Sequence, residues 1–456
     1  MKVNLAGFNV DRYLIDHGEQ GMNEHSNCPQ RFIFTPETIS AAYARISRSK
    51  KDVDELRADA IKDVAKARES NENIVYNMGH ASISEHAVLN YDIINVSRLA
   101  IEFIESFRLA SYTEKSQRYV KLNGADFHMP SQIKNTEFEG EFREVVDVQN
   151  QAYAKIYNII KRHLIKNGTE KKVAIGKAKE DARYVTCLAT YGQLGMTANA
   201  RTVENMIRRF SANPLSEVND MGSEISNKTV SYIPSLIKHI NPTQIDRYSV
   251  ENCFRKPRFI YDRSTAPSDV LFLDSHCPVD FMKYFPVDHV MGNLGVHDAV
   301  PREWEFIKFT FGACVSASCF AQLKRHRMGI TLVPYKYDIG NGITIPQTIT
   351  DSKAEDIFME TINTTNEFYN RLNEFNPIAS TYILTQAHKR WVLCQINGRE
   401  LYHFARLRMD SHAQWDIRNL ANMIVGHAMK EFPDILPLLC GKDMFQSTRR
   451  IQNKSR

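Results

Sequence analysis

The sequence predicts an α+β protein built from two tandem copies of one domain, each a mixed or antiparallel sheet packed with helices. Three observations lead there. The chain has 456 residues, too many for one ordinary core and natural for two domains of roughly 200 residues each. Two long stretches repeat the same order of elements. Short strand-like runs alternate with longer helical ones, the pattern of helices laid on a sheet.

The repeat justifies the elements in order. One stretch runs GHASISEHAVLNYDIINVSRLAIEFIESFRLASYTEKSQRYVKLNGADFHMP, and the other VHDAVPREWEFIKFTFGACVSASCFAQLKRHRMGITLVPYKYDIGNGITIP. Each reads as a half-buried strand (VLNYDII, FIKFTFG), a helix, a short arginine-bearing turn, a tyrosine-rich extended stretch and a proline. Cys314 and Cys319 fall in the apolar run FGACVSASCF, which reads as packed helix. A second pair, TANARTVENMIRR and QINGRELYHFARLR, places Asn and Arg two apart at the start of an amphipathic helix. The copies span residues 1–240 and 265–456. Residues 241–264 read as a linker, with prolines and the basic string FRKPR close by. Glu137 to Lys179 is helical by spacing and rich in Lys and Glu, and reads as a solvated helical insertion.

Composition narrows the function classes. Hydrophobic residues make up 43% and charged residues 24%, with a net charge of +5. That mild basicity suits a small anionic ligand and argues only weakly for nucleic acid. The eight cysteines are scattered without a CxxC pair, which speaks against a zinc site or a disulfide framework. No signal-peptide pattern opens the chain and no apolar run approaches the ~20 residues of a membrane span. A soluble protein of the reducing cytoplasm fits, with neither membrane nor nucleic acid as partner. Neither GxGxxG before a helix nor GxxxxGK[ST] is present, so a Rossmann dinucleotide site and a P-loop are not expected.

Four segments could carry chemistry. In RLASYTEKSQRY, Arg108 to Tyr119, hydroxyls and an arginine crowd onto a turn that could bind phosphate or sugar. In QLKRHR, Gln322 and Arg325 would share a helix face, and Arg325, His326 and Arg327 could surround an anion or a planar ring. On composition alone these two are better read as a polar surface turn and a solvated basic helix end. In NGRELYHFARLR, Asn397 and Arg399 at a helix start could hold a carbonyl-rich ring or a pyrophosphate. His403 by itself reads as a structural histidine. In GHASISEH, His80, Ser82, Glu85 and His86 suit hydrogen bonding better than metal ligation, because no further ligand sits at helical spacing.

Together these segments resemble the flavin-dependent thymidylate synthases (ThyX), whose signature is RHRxxSxNExSxRY and whose later helix carries Asn-x-Arg and a closing HAQWEIR. The matching strings here are SRLAIEFIESFRLASYTEKSQRY, VSASCFAQLKRHR and DSHAQWDIR. The departures sort by half. The first half keeps Ser111, Glu114, Ser116, Arg118, Tyr119 and Arg183, with Thr113 for the usual Asn. Its RHR has become Ser106, Phe107 and Arg108, its Gln has become Phe103, its late arginine Phe210, and its HAQW string PLSEVND. The second half keeps Gln322, Arg325, His326, Arg327, Asn397, Arg399, His403 and Arg408. It carries Ile330, Leu332, Val333 and Tyr335 where Ser, Asn, Glu and Ser belong, and Thr381 at the counterpart of Arg183.

The resemblance implies a tetramer-like assembly, since in that family each site lies between chains. The retained residues divide along that line, so composite sites are expected, with a homodimer of tandem chains forming a pseudo-tetramer. The implied reaction is methylation of dUMP from methylenetetrahydrofolate, with FAD as cofactor and NADPH as reductant. Glu114, Lys115, Ser116, Gln117, Arg118, Arg183, Gln322, Arg325 and Arg408 would bind dUMP, and Arg408 would be catalytic by favouring the ionised uracil N3. Ser82, Glu85, Glu114, Arg325, His326, Arg327, Asn397, Arg399 and His403 would bind FAD, and His80 would border flavin and folate. No metal is implied. Two rival readings stand beside this one: a related enzyme acting on another pyrimidine nucleotide or transferring hydroxymethyl, and a non-catalytic flavin- or nucleotide-binding scaffold.

Overall fold

The computed structural model describes residues 1–17, 34–118, 120, 122, 126–257 and 269–455. Tyr119, Cys28 and residues 258–264 of the expected linker lie outside the described residues. The described part of that linker includes the helix Gln244–Glu251.

Two four-stranded antiparallel sheets carry the fold among the described residues. One contains β1 (Lys2–Phe8), β2 (Val88–Ser97), β3 (Ala110–Glu114) and β4 (Tyr191–Asn199) in the order β1-β2-β4-β3. The other contains β5 (Val270–His276), β6 (Lys308–Ser316), β7 (Ile330–Tyr337) and β8 (Lys389–Asn397) in the order β5-β6-β8-β7. The same order twice is the duplication expressed as topology. It confirms the expected α+β class, with sheets antiparallel throughout.

Local chemistry repeats with it. Ser97 ends β2 and caps helix Arg98–Ile104 by accepting from Ala100 N; Ser316 ends β6 and caps helix Ala317–Leu323 by accepting from Cys319 N. Asn199 and Asn397 cap the helices Ala200–Ser211 and Gly398–Arg408, each accepting from the amide three residues on at 2.8 Å. Such a cap contributes about 1 kcal/mol to its helix. These are the expected Asn-x-Arg helix starts.

The chain forms two compact units, and each pools segments from both sequence halves. Unit 1 comprises Met1–Glu144, Leu188–Glu251 and Leu372–Tyr382; unit 2 comprises Val145–Cys187, Asn252–Arg371 and Ile383–Arg456. The exchange is reciprocal down to single bonds. Within unit 1, Ala189 N donates to Tyr382 O, and within unit 2, Ala387 N donates to Tyr184 O, both at 2.9 Å. Unit 2 has a large aromatic core built on Trp304, Phe309, Phe311 and Phe404.

Two local expectations are corrected. Cys314 lies in β6 rather than a helix; the helix starts only at Ala317, after the Ser316 cap. A short apolar run cannot distinguish the two by periodicity. The Glu137–Lys179 segment is helical (Phe138–Lys166 and Lys171–Ala182) but not a solvated insertion. Val145, Val146, Tyr153, Ile156 and Ile160 form a buried stripe, and Gln149 donates to Thr365 Oγ1 and Ile383 O at 2.9 Å. Its charges occupy the opposite face of an amphipathic helix.

Candidate active site

The residues retained by the second half gather in unit 2 around helix Ala317–Leu323 and the turn after it. That helix closes at Leu323, earlier than the sequence suggests. Arg325 N and His326 N bond Gln322 O and Leu323 O at 3.3 and 3.1 Å, so Arg325 to Arg327 form a turn and not a helix face. The turn ends at Gly329, whose φ is +75°. A Cβ there would lie 2.8 Å from Glu400 Cβ and 2.9 Å from Asn397 Nδ2. Only glycine permits both the left-handed backbone and this approach, which brings the Arg325–Arg327 turn against the start of helix Gly398–Arg408.

A directed hydrogen-bond chain crosses the junction. Arg408 Nε donates to His326 Nε2 at 2.9 Å, and His326 Nδ1 meets Glu400 Oε1 at 2.8 Å. Guanidinium nitrogens only donate, so Nε2 must accept. The ring is therefore neutral and its proton sits on Nδ1, donated to Glu400. Burial, reinforced by the Arg408 charge, pushes the His326 pKa down to about 3. Its contact with Glu400 is thus a hydrogen bond and not an ion pair. Burial pushes the Glu400 carboxyl up to about 7, against the pull of His403 and Arg399. Arg408 Nη2 also donates to Gln322 O at 3.2 Å, leaving the guanidinium charged and held at two points.

His326, Glu400 and His403 offer ligand atoms within 4.8 Å of one another. Glu400 and Arg408 already occupy both ring nitrogens of His326, and the neighbouring guanidiniums oppose a cation. His326 and Glu400 therefore work in a hydrogen-bond chain with Arg408, and His403 packs edge to face on the His326 ring.

Arg183 joins this cluster although it belongs to the first sequence half. It is buried, and its Nη2 donates to Ser318 Oγ at 2.7 Å. Ser318 lies four residues before Gln322, on the same helix face. Arg399 bonds Val300 O at 3.0 Å and Glu305 at 3.2 Å. The half-exposed Arg325 and Arg327, with Arg399, make this end of unit 2 cationic.

The remaining expected site residues lie in unit 1. His80 precedes, and Ser82 and Glu85 lie within, the 3-10 segment Ala81–His86. Glu85 accepts from Arg201 at 2.6 Å, as Glu305 does from Arg399 in the other copy. Glu114 ends β3 in a buried ion pair with Arg98. Lys115, Ser116, Gln117 and Arg118 follow as a turn in which Arg118 N donates to Ser116 Oγ at 3.2 Å.

Sequence profiles place this architecture. The Thy1 family (Thymidylate synthase complementing protein) matches residues 33–235 and 286–434, one stretch in each half. The chain belongs to this family. A flavin-dependent thymidylate synthase of Clostridium tetani is 30% identical over 214 residues, covering 46% of this chain and 84% of the relative. A UPF0159 protein of Chlamydia pneumoniae is 22% identical over 437 residues, covering 84% of this chain and 82% of its own length. Among solved structures, the Helicobacter pylori ThyX complexed with FAD and dUMP aligns with a TM-score of 0.33 at 16% identity, covering 52% of this chain and all of that one.

Within the family's fold, the two copies differ where chemistry would be done. Phe107 and Phe210 stand at the positions of His326 and Arg408, and pack edge to face at 5.7 Å in unit 1. Thr202 stands at Glu400 and bonds Leu109 O at 3.2 Å. The polar chain of one copy is an aromatic contact in the other. Glu400, Ser318, Gln414 and Tyr184 were not singled out by sequence reasoning. Glu400 carried one available signal: three residues after the cap Asn397, it had to lie at the helix start.

Proposed function

We propose that this chain is a flavin-dependent thymidylate synthase that methylates C5 of dUMP, with methylenetetrahydrofolate as carbon donor, FAD as hydride carrier and NADPH as reductant. The observation that carries this reading is the Glu400–His326–Arg408 chain. It holds one guanidinium charged and oriented against the Gln322 carbonyl, in a family whose curated members include flavin-dependent thymidylate synthases.

Arg408 sets a fixed cation beside the pyrimidine. A positive charge there lowers the N3 pKa and stabilises negative charge developing on the ring as C5 attacks. Arg183, Arg325 and, from the first half's turn, Arg118 supply forked donors for the phosphate monoester. Glu114, Lys115, Ser116 and Gln117 complete the nucleotide-binding set, which makes the sites composites of both sequence halves.

The donor set fits a flavin dinucleotide. Gly329 brings Arg325 and Arg327 to the capped start of helix Gly398–Arg408, where amides and guanidiniums suit a pyrophosphate. Arg325, His326, Arg327, Asn397, Arg399 and His403 would hold it, with Ser82, Glu85 and Glu114 from the first half and His80 at the flavin–folate border. When bound and reduced, the flavin supplies the hydride that converts the transferred one-carbon unit to methyl. Two tandem chains would then stand in for four single-domain ones, as a homodimer.

The test is product analysis. With dUMP, labelled methylenetetrahydrofolate, FAD and NADPH, labelled dTMP is expected, and omitting FAD abolishes it. A hydroxymethylated product, a preference for dCMP, or nucleotide and flavin binding without turnover would refute the assignment.

A further inference from the structure

Resting on that reading, we propose that Gln414 is a positioning residue that holds the Gln322 side-chain amide in one orientation, so that Gln322 Oε1 is available as a hydrogen-bond acceptor for the bound pyrimidine nucleotide. The argument begins with donors that have no choice. Gln414 is the N-cap of helix Trp415–Glu431, and its Oε1 accepts from the backbone amides of Asp416 and Ile417 at 3.0 and 3.3 Å. Backbone N–H groups only donate, so this end of the Gln414 amide must be its oxygen. Its nitrogen points the other way and donates to Tyr184 OH at 2.9 Å. Tyr184 OH in turn donates to Asp416 Oδ2 at 2.9 Å, which also accepts from Ser316 Oγ at 2.6 Å.

Gln322 meets this relay at its fixed end. Its Nε2 donates to Gln414 Oε1 at 3.1 Å. Reversal would set two oxygens against each other, so the relay fixes which end of the Gln322 amide faces away. That end is an acceptor; because Arg408 favours loss of the only ring N–H proton, at N3, its natural partner on the nucleotide is the sugar 3′-hydroxyl.

The duplication supplies an internal control. Unit 1 repeats the anchor: Tyr382 OH donates to Glu217 Oε2 at 2.9 Å, and Ser97 Oγ donates to the same oxygen at 2.5 Å. What unit 1 lacks is the amide tip. Leu215 and Phe103 stand at the counterparts of Gln414 and Gln322, and Leu99 and Thr381 at those of Ser318 and Arg183. The tyrosine–acid–serine anchor is therefore needed by the fold, since both copies keep it. The glutamine pair accompanies only the copy that keeps His326 and Arg408. Gln414 is 1% exposed, and so acts through Gln322 and not on a ligand.

Two substitutions separate positioning from helix capping. Gln414→Ser keeps a good N-cap but is too short to reach Gln322. Gln414→Glu keeps an acceptor for both the cap amides and Gln322 Nε2. In the full-length protein, Q414S is expected to weaken equilibrium dUMP binding roughly three- to tenfold, the worth of one neutral hydrogen bond. The thermal midpoint should stay near wild type, while Q414E restores affinity. Repeating the titration with 2′,3′-dideoxyuridine monophosphate locates the donor. A vanished loss places it on the 3′-hydroxyl, and an undiminished loss would overturn the inference. Unchanged dUMP affinity in a folded Q414S, or equal losses in Q414S and Q414E, would overturn the inference while leaving the proposed function standing. Wild-type protein that takes up no dUMP would overturn both.

Discussion

Replacing Glu400 by glutamine tests the Glu400–His326–Arg408 chain through the pH dependence of stability. The Glu400 side chain is 13% exposed, and burial raises its carboxyl to about 7. In the unfolded chain it titrates near the ordinary value of about 4.3. The folded state therefore binds this proton more tightly. The stabilisation is fully present below about 4.3 and is lost as pH rises through about 7. Each tenfold difference in proton affinity between the two states is worth about 1.4 kcal/mol, so the loss is at most about 4 kcal/mol. A glutamine at 400 still accepts from His326 Nδ1 but does not titrate. His326 acts in the opposite direction: its depressed pKa stabilises the fold above about 6.5 and loses that contribution as pH falls toward 3. That effect is common to both proteins and cancels in their difference. Trp304, Trp391 and Trp415, the three tryptophans of the chain, all lie in unit 2, so urea denaturation followed by tryptophan fluorescence reports the unit that contains Glu400. E400Q should gain on wild type steadily from pH 4.5 to 7 and then run parallel to it. A stability difference independent of pH would refute the buried, proton-holding carboxyl and the chain built on it.

Other expectations follow from the same contacts. Arg408→Ala should lower dTMP formation by about a hundredfold or more with little change in FAD affinity by fluorescence titration; equal loss of both contradicts its assignment to the pyrimidine. His326→Phe and Arg408→Phe should be non-additive in stability by about 1–2 kcal/mol, because together they recreate the Phe107–Phe210 contact whereas each alone strands a polar partner; additive losses would show that the two side chains do not depend on each other. Arg183→Lys should raise KM for dUMP about tenfold with a smaller change in kcat, measured by steady-state turnover. A polypeptide of residues 252–456 should lack a cooperative fluorescence transition, and regain one when residues 145–187 are supplied, because that segment belongs to the same unit.

Much of this was legible in the sequence. The duplicated order of elements, the Asn-capped helices after β4 and β8, and the division of retained residues between halves all show in the letters. Three things did not. The segment Val145–Cys187 has an apolar stripe, but a stripe does not say which of two similar cores it covers, so the exchange between halves was hidden. The charged residues of that segment masked the stripe itself. The relay through Gln414 and Glu400 is a matter of direction: which atom donates depends on backbone amides and a neighbouring guanidinium that only folding brings together. The Cys314 run failed for a plainer reason, being too short and too uniformly apolar to carry a period.

The exchanged segments also set a timetable for synthesis. Unit 1 needs Leu372–Tyr382, which leaves the ribosome long after the rest of that unit. Between residues 251 and 382, a delay on the order of ten seconds, the nascent first unit must wait with its Glu217 carboxylate still lacking the Tyr382 hydroxyl. Unit 2 cannot close early either, because its opening segment precedes the remainder of its chain. The two units must therefore mature almost together, near the end of translation. A ribosome that stalls midway would release an open, unfinished first unit instead of a finished first domain.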